Sequence, residues 1–214
     1  MAMESTTAST VKKPAATHIR IPGVGDPAPD ALLVLVPSLN AADPTKRVEP
    51  AEVLLSALWA ERPLVVVFLR HLGCIFCREQ VARLRTDYQR FRQAGAEVAC
   101  IAQGDYKVGK AFSLLMGLPF PMLMCGKETS LFRQYGLLRG NLWQLFGPSS
   151  IVKGFRALAG GHRQGKIVGD GFQMPGLFIV DKSGTIRFAR RHVNAGDNPD
   201  NGELLAALAT LGES

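Results

Sequence analysis

Cysteine is scarce in this chain, with only four among 214 residues. So few cysteines do not make the disulfide framework of a small secreted scaffold, and their spacing suggests no set of structural bridges. We therefore expect thiols that stay reduced, and we predict a cytoplasmic location.

Long apolar runs are also missing. No stretch approaches the roughly 20 apolar residues that span a bilayer, so we expect no transmembrane segment. The first 20 residues lack the apolar core of a secretory signal and read as a flexible tail. The remaining residues, 21–214, are enough for one substantial core, which the 47% hydrophobic content favours, so we predict a single domain there.

The net charge of +7 raises the question of nucleic-acid binding. Much of the positive charge follows the first cysteine along one predicted helix, where it is interrupted by acidic residues and lies mostly off the apolar stripe. No groove-reading motif accompanies it. We therefore expect a solvated basic face and no nucleic-acid partner. The arginines concerned are Arg78, Arg83, Arg85, Arg90 and Arg92.

The chain does contain a dithiol, Cys74-Ile75-Phe76-Cys77, directly after the apolar run Leu64 to Leu69. The pattern that follows is helical, so Cys74 would lie at a helix start. Unpaired N–H groups and the positive end of the helix dipole favour a thiolate there. Two intervening residues also bring the sulfurs close enough to form a disulfide. This spacing predicts a redox-active pair.

Two other interpretations of the pair remain open. It could be half of a zinc site, with His71 as a third ligand, although no fourth ligand is apparent. It could also be two inert cysteines packed under the sheet. The other thiols, Cys100 and Cys125, lie in apolar segments and are interpreted as core residues, with a reactive role for Cys125 as the alternative.

Hydrophobic periodicity predicts a mixed α/β sheet flanked by helices. One helix opens at 49–52 and ends before Pro63, and a single long helix runs from the dithiol to Gly95. The last two strands form a hairpin through Lys182-Ser183-Gly184. Strands are predicted at 31–36, 64–69, 98–102, 119–125, 176–181 and 185–190, and further helices after 105, at 128–135 and at 204–211.

Residues 137–170 are glycine-rich and basic, and we interpret them as an insertion. An amphipathic helix is predicted at 149–159. Together with Trp143 and Phe146, it would allow weak contact with a membrane surface through 143–158. The modest apolar stripe of this helix favours its packing onto the core over that membrane contact.

The order of elements resembles the thioredoxin fold, with an added N-terminal strand and an insertion of the peroxiredoxin kind. Within that superfamily the chain is most similar to the peroxiredoxin-like branch of the alkyl hydroperoxide reductase and thiol-specific antioxidant (AhpC/TSA) family, which includes prostamide/prostaglandin F synthase-like proteins. The matching tracts are Phe68-Leu69-Arg70, Gly73 to Arg78, Gly165 to Gly171, Phe178 to Asp181 and Ala195-Gly196-Asp197.

Departures from the family patterns bear on the chemistry. If Cys74 is the peroxidatic cysteine, Val67 and His71 stand where peroxiredoxins have Pro and Thr, and Pro175 stands where they have an arginine. Phe68 replaces the buried acid of thioredoxins. These departures favour disulfide exchange or specialised peroxide exchange over rapid peroxide scavenging.

Two local features could take over the functions of these missing residues. Met174-Pro175 precedes a late strand, as the cis-proline of thioredoxins does, so we expect a cis turn that docks substrate beside the dithiol. His71 titrates near neutrality and could deprotonate a thiol or stabilise a thiolate. A histidine that only hydrogen-bonds the backbone is the equal alternative.

The predicted mechanism is attack by Cys74 on a peroxide or a disulfide, followed by resolution by Cys77. Arg78 and the loop of Met174 and Pro175 would line the pocket. No bound cofactor or metal is expected, and a thioredoxin-type reductant would regenerate the dithiol. A non-catalytic thioredoxin-like scaffold, or a redox sensor that binds a partner, is the alternative function.

Overall fold

A computed structural model describes residues 20–39, 50–140, 165, 167–194 and 197–211. The predicted tail up to residue 19, the helix at 149–159 and the membrane contact at 143–158 lie outside these residues. Among the described helices, none has the length and apolar character needed to cross a membrane.

Within the described residues, seven strands form one mixed sheet, in the order β2-β1-β5-β4-β3-β6-β7. The central β3 pairs in parallel with β4 and antiparallel with β6, and β4 pairs in parallel with β5. The predicted α/β fold with a mixed sheet is confirmed. The strands are β1 Leu32–Val36, β2 Ala51–Leu54, β3 Leu64–Phe68, β4 Glu97–Ala102, β5 Met122–Met124, β6 Gly176–Val180 and β7 Ile186–Arg191.

Helices flank this sheet and close an apolar core on each of its faces. The described helices are α1 Leu55–Glu61, α2 Ile75–Thr86, α3 Tyr88–Gln93, α4 Tyr106–Met116, α5 Ser130–Gln134 and α6 Asn201–Ala209. Side chains of a strand point alternately to opposite faces, so a strand covered on both sides must be apolar throughout. β3 meets this requirement, because all five of its residues are buried.

The alternation along β3 explains the phenylalanine before the dithiol. Val65 and Val67 pack into the core that also contains both cysteines of the pair, whereas Phe68 points to the other core. There its ring lies 4.8 Å from the ring of Tyr135 and 5.0 Å from that of Phe132, measured between centroids. Position 68 is thus part of an aromatic core, which leaves no room for a buried acid.

The prediction that a helix opens at 49–52 is wrong. Residues 51–54 form the edge strand β2, which pairs antiparallel with β1 and sets Val53 opposite Leu33. The helix starts only at Leu55. The local sequence pattern at 49–52 predicted a helix wrongly because the backbone of β1 offers hydrogen-bond partners that the local sequence does not reveal.

The single long helix predicted after the dithiol is two helices. The break lies at Asp87, whose backbone N–H donates to carbonyls of the preceding turn. The Asn201 side chain donates to the Arg83 carbonyl at 2.9 Å and to the Asp87 carboxylate at 2.8 Å. The Asn201 side chain in α6, more than 110 residues further along the chain, therefore stabilises this break through hydrogen bonds.

The C-terminal hairpin agrees with its prediction, because β6 and β7 are antiparallel neighbours. The Asp181 carboxylate accepts from the backbone N–H groups of Ser183 and Thr185, both at 2.9 Å. Gly184 has φ +81°, a left-handed conformation that favours glycine. The final helix starts at Asn201, three residues earlier than predicted, with Asp200 as its N-cap.

Candidate redox site

The dithiol lies where the chain leaves β3 and enters α2. The Leu69 N–H still donates to the Ile101 carbonyl at 2.8 Å, which continues the pairing with β4 beyond the last strand residue. The Cys74 N–H donates to the His71 carbonyl, and the Cys74 carbonyl accepts from the Arg78 N–H, both at 3.0 Å. Cys74 is therefore the N-cap of α2, and Cys77 faces inward within its first turn.

Both cysteines are reduced and almost fully buried, with 2% of Cys74 and 3% of Cys77 exposed. A hydrogen bond from the Cys77 thiol is the main reason that the pKa of Cys74 falls to about 6. Burial opposes this fall, while the backbone N–H groups of Cys77 and Phe76 and the charge of Arg70 support it. Cys74 is thus largely a thiolate at neutral pH.

Cys77 shows the opposite behaviour. Its hydrogen bond to Cys74 raises its pKa, as do burial and the negative charge of the Cys74 thiolate. The two sulfurs therefore share one proton, which Cys77 holds. This asymmetry provides one nucleophilic sulfur and one protonated neighbour within hydrogen-bonding reach.

Arg70 is a site residue that the sequence reasoning missed. It lies just after β3, only 8% of its surface is exposed, and its Nε donates to the Gly171 carbonyl at 2.6 Å. Its positive charge lowers the pKa of Cys74. Its position could have indicated a role at the site, because an arginine directly at the end of an apolar strand is a buried charge that needs a partner.

His71 lies beside this arginine and is 2% exposed. Burial, followed by the charges of Arg70 and Arg78, lowers its pKa to about 4. The imidazole is therefore neutral at pH 7 and carries no charge with which to stabilise a thiolate. Its Nδ1 atom has no hydrogen-bond partner among the described residues.

Arg78 is placed in the turn that surrounds the dithiol. Its Nε donates to the Leu72 carbonyl at 3.2 Å. Gly165 packs against it so closely that a Cβ atom there would lie 2.3 Å from an Arg78 Nη atom, and the Gly165 N–H donates to the Gly73 carbonyl at 2.8 Å. Residue 165 thus contacts the dithiol turn directly.

The expectation of a cis turn at Met174-Pro175 is wrong, because no peptide bond in the described segments is cis. The Met174 N–H donates to the Leu138 carbonyl, and the Pro175 carbonyl accepts from the His192 N–H. With both groups paired inside the protein, this backbone is not open to a substrate strand. Met174 itself is buried in the same core as both cysteines of the pair.

The two remaining cysteines differ from the pair. Burial raises the pKa of Cys100, which is completely enclosed in β4. It also raises the pKa of Cys125 to about 11, and the Cys125 thiol donates to the Ala102 carbonyl at 3.4 Å. Both are protonated at neutral pH, as expected of core thiols. The described residues contain no cluster of three or more potential metal ligands.

The sequence pattern of the AhpC/TSA family matches residues 24–189, which is most of the chain. The chain belongs to the AhpC/TSA family. The human protein named Peroxiredoxin-like 2C is 29% identical over 157 residues, which cover 68% of each chain. The human prostamide/prostaglandin F synthase is 27% identical over 146 residues, which cover 62% of this chain and 67% of that protein.

Solved structures agree with this assignment at the level of the fold. AhpC from Mycobacterium tuberculosis superposes with a TM-score of 0.64 and 18% identity, over 90% of this chain and 99% of that one. This AhpC/TSA chain spans about two thirds of the length of the two curated relatives above. The family match and the curated relatives point to a thiol oxidoreductase or peroxidase-like enzyme.

Proposed function

We propose that this AhpC/TSA protein is a two-cysteine thiol peroxidase in which Cys74 attacks a hydroperoxide and Cys77 resolves the product. The observation that carries the proposal is the asymmetry of the dithiol. Hydrogen bonding from Cys77 holds the pKa of Cys74 near 6, while Cys77 keeps its proton. An attacking thiolate and a resolving thiol are therefore already distinguished before substrate binds.

The first step consumes one hydroperoxide molecule. The Cys74 thiolate attacks the terminal oxygen, a sulfur–oxygen bond forms and the oxygen–oxygen bond breaks. The alkoxide takes up one proton from solvent, matching the one that Cys74 released when it ionised, and leaves as an alcohol, and Cys74 becomes a sulfenic acid. Arg70 is the nearby cation proposed to hold the thiolate and the developing negative charge, a role that the family assigns to an arginine at the position of Pro175.

The second step forms the internal disulfide. The Cys77 sulfur attacks the sulfenic sulfur, the hydroxyl group leaves as water with the Cys77 proton, and the two sulfurs become bonded. An external dithiol of the thioredoxin type then returns two electrons. No bound cofactor takes part. The cytoplasmic location predicted from the sequence would supply such a reductant and remains a prediction.

Burial favours a small hydroperoxide over a protein disulfide as the oxidising substrate. Only 2% of the Cys74 surface is exposed in the reduced protein, so a small hydroperoxide needs less rearrangement to reach the sulfur than a protein disulfide does. The thioredoxin-type reductant has to approach only after the Cys74–Cys77 bridge has formed. The internally paired backbone at Met174 and Pro175 also lacks free groups for a docked peptide. We assign those two residues and Arg78 to shaping the pocket wall, and we propose no proton transfer through the neutral His71.

Steady-state peroxide reduction with thioredoxin and its reductase tests this division of roles. Cys74→Ser should abolish turnover. Cys77→Ser should also prevent turnover by the internal-disulfide route, yet it should still react once and accumulate a Cys74 sulfenic acid that dimedone traps. The matched control, Cys125→Ser, removes a thiol outside the site and should retain full activity. Full multiple turnover by Cys77→Ser would show that the resolving role is misassigned.

A further inference from the structure

A turn at residues 170–173 lies at the carboxyl ends of the parallel strands β3 and β4, the edge of the sheet that carries the dithiol. Arg70 follows β3 and Gln103 follows β4, and both side chains are buried. The Gln103 Oε1 atom accepts from the Asp170 N–H at 2.9 Å, and the Arg70 Nε atom donates to the Gly171 carbonyl at 2.6 Å. Two neighbouring strand ends therefore hold adjacent residues of this turn.

Arg70 depends on the turn for its orientation. Among the described residues, the Gly171 carbonyl is the one hydrogen-bond acceptor of its side chain. The guanidinium is planar and rigid, so a bond at Nε sets the direction of the whole group. Its charge acts on Cys74. The direction of a single carbonyl therefore decides how this cation is placed relative to the sulfur.

That carbonyl belongs to the central peptide of the turn. The Gln173 N–H donates to the Asp170 carbonyl at 3.1 Å, which closes the turn. Its central peptide joins Gly171 to Phe172. A peptide group is planar and trans, so its carbonyl and its N–H point in opposite directions. Rotation of the central peptide would turn the Gly171 carbonyl away from Arg70.

The Asp170 side chain opposes this rotation. Its Oδ1 atom accepts from the Phe172 N–H at 2.9 Å, a bond that aspartate commonly forms with the residue two positions on. Its Oδ2 atom lies 2.7 Å from the Arg139 Nε atom, which steadies the carboxylate. Asp170 thus fixes the N–H side of the central peptide, and the carbonyl on the opposite side stays directed at Arg70.

We propose that Asp170 is a positioning residue of the redox site. It keeps the Gly171 carbonyl directed at Arg70 and so holds the arginine cation beside Cys74. The described hydrogen bonds of Asp170 include none with either cysteine of the pair, so it acts through the arginine. This assignment rests on the role of Arg70 in the proposed peroxidase.

Labelling of Cys74 by iodoacetamide in the reduced full-length chain tests the assignment. Asp170→Ala should slow labelling at pH 5.5 at least about twofold, because a less well-placed cation raises the pKa of the thiol. Asp170→Asn should stay within about 1.5-fold of the parent rate, since its amide oxygen can still accept from the Phe172 N–H. As a matched control, Asp105→Ala removes another carboxylate that accepts a backbone N–H, at the start of α4, and should not slow labelling.

The charge of Asp170 alone predicts a change of the opposite sign. Removal of a nearby carboxylate favours a thiolate, so both Asp170 variants would then label Cys74 faster than the parent protein. A double variant identifies the route of the effect. In the Arg70→Met background, Asp170→Ala should cause no further slowing, because the group through which it acts is absent.

The fold of the variants is checked by circular dichroism, and the turn keeps other hydrogen bonds, such as that from the Gly140 N–H to the Phe172 carbonyl at 2.8 Å. Unchanged or faster labelling in Asp170→Ala would overturn the assignment, as would equal slowing in Asp170→Asn. Further slowing by Asp170→Ala in the Arg70→Met background would also overturn it, because the effect would then bypass the arginine. Labelling needs no peroxide, so an absence of peroxide turnover would count against the peroxidase and not against this positioning role.

Discussion

At the scale of single residues, Arg70 supplies the side-chain charge that lowers the pKa of Cys74. Replacement by Met removes this charge and should raise the pKa of Cys74 by about one pH unit, a typical effect of one nearby opposite charge. Alkylation by iodoacetamide at pH 5.5 should then slow roughly eightfold, since only the thiolate reacts. Arg70→Lys, which keeps the charge, should retain most of the rate. Equal slowing in both variants would indicate that the hydrogen bond to Gly171 matters more than the charge.

The pH dependence of the unmodified protein follows from the same residues. The alkylation rate of Cys74 should rise between pH 5 and pH 7 with a midpoint near 6, as the proton leaves the thiol. His71, with a pKa near 4, should add no second step in this range. Mass-spectrometric counting of labelled Cys74 against time measures the profile. A midpoint near the ordinary value of a free thiol would contradict the assigned hydrogen bond from Cys77.

The sequence was most informative, at this scale, about which sulfurs form a pair, since spacing and helix start are local properties. The sequence could not identify the cation that lowers the pKa of Cys74. The arginine of peroxiredoxins is missing at Pro175, and Arg70, at the end of another strand, supplies a positive charge that acts on Cys74. Burial also changes the character of His71, and burial is a property of the assembled fold that local sequence does not give.

The break between α2 and α3 is the element-scale feature with a clear energetic origin. Asn201→Ala removes the hydrogen bonds to both the Arg83 carbonyl and the Asp87 carboxylate, which then keep only local donors, the Asp87 N–H and Arg90. We expect the free energy of unfolding to fall by about 1–3 kcal/mol, measured by urea denaturation. Thr86→Ala, which removes an exposed hydrogen bond on the same helix, should change it by no more than about 0.5 kcal/mol. Similar losses in both variants would show that α6 does not fasten this break.

Element prediction from sequence succeeded where the pattern is strong and local. The buried strand β3 and the hairpin of β6 and β7 are both read directly from apolar runs and turn residues. Prediction failed at the strand β2 and at the helix break at Asp87. In both places a distant segment decides the outcome: β1 pairs with residues 51–54, and Asn201 reaches the helix break.

Stability against acid belongs to the molecule as a whole. The pKa of His71 in the folded state, about 4, lies below its ordinary value of 6.5, so between these values the unfolded chain binds more protons. Its contribution to stability is complete above about pH 6.5 and is lost as the pH falls toward 4. Lowering the pH from 7 to 5 should therefore reduce the urea midpoint.

A comparison in the Cys74→Ser background isolates this effect, because the thiolate no longer titrates there. The double variant with His71→Asn should lose less of its urea midpoint between pH 7 and pH 5 than Cys74→Ser alone. Carboxylates contribute to both proteins alike and cancel in the difference. An identical decrease in the two proteins would show that His71 is not the buried group that resists protonation.

For the whole molecule, the central claim is that peroxide oxidises this dithiol and no other pair of cysteines. One equivalent of hydroperoxide, followed by thiol blocking and peptide mass spectrometry, tests it most directly. We predict a Cys74–Cys77 disulfide in most molecules, with Cys100 and Cys125 still alkylatable after unfolding. A protein that consumes the peroxide without forming that bridge, or that oxidises Cys100 or Cys125 first, would contradict the account.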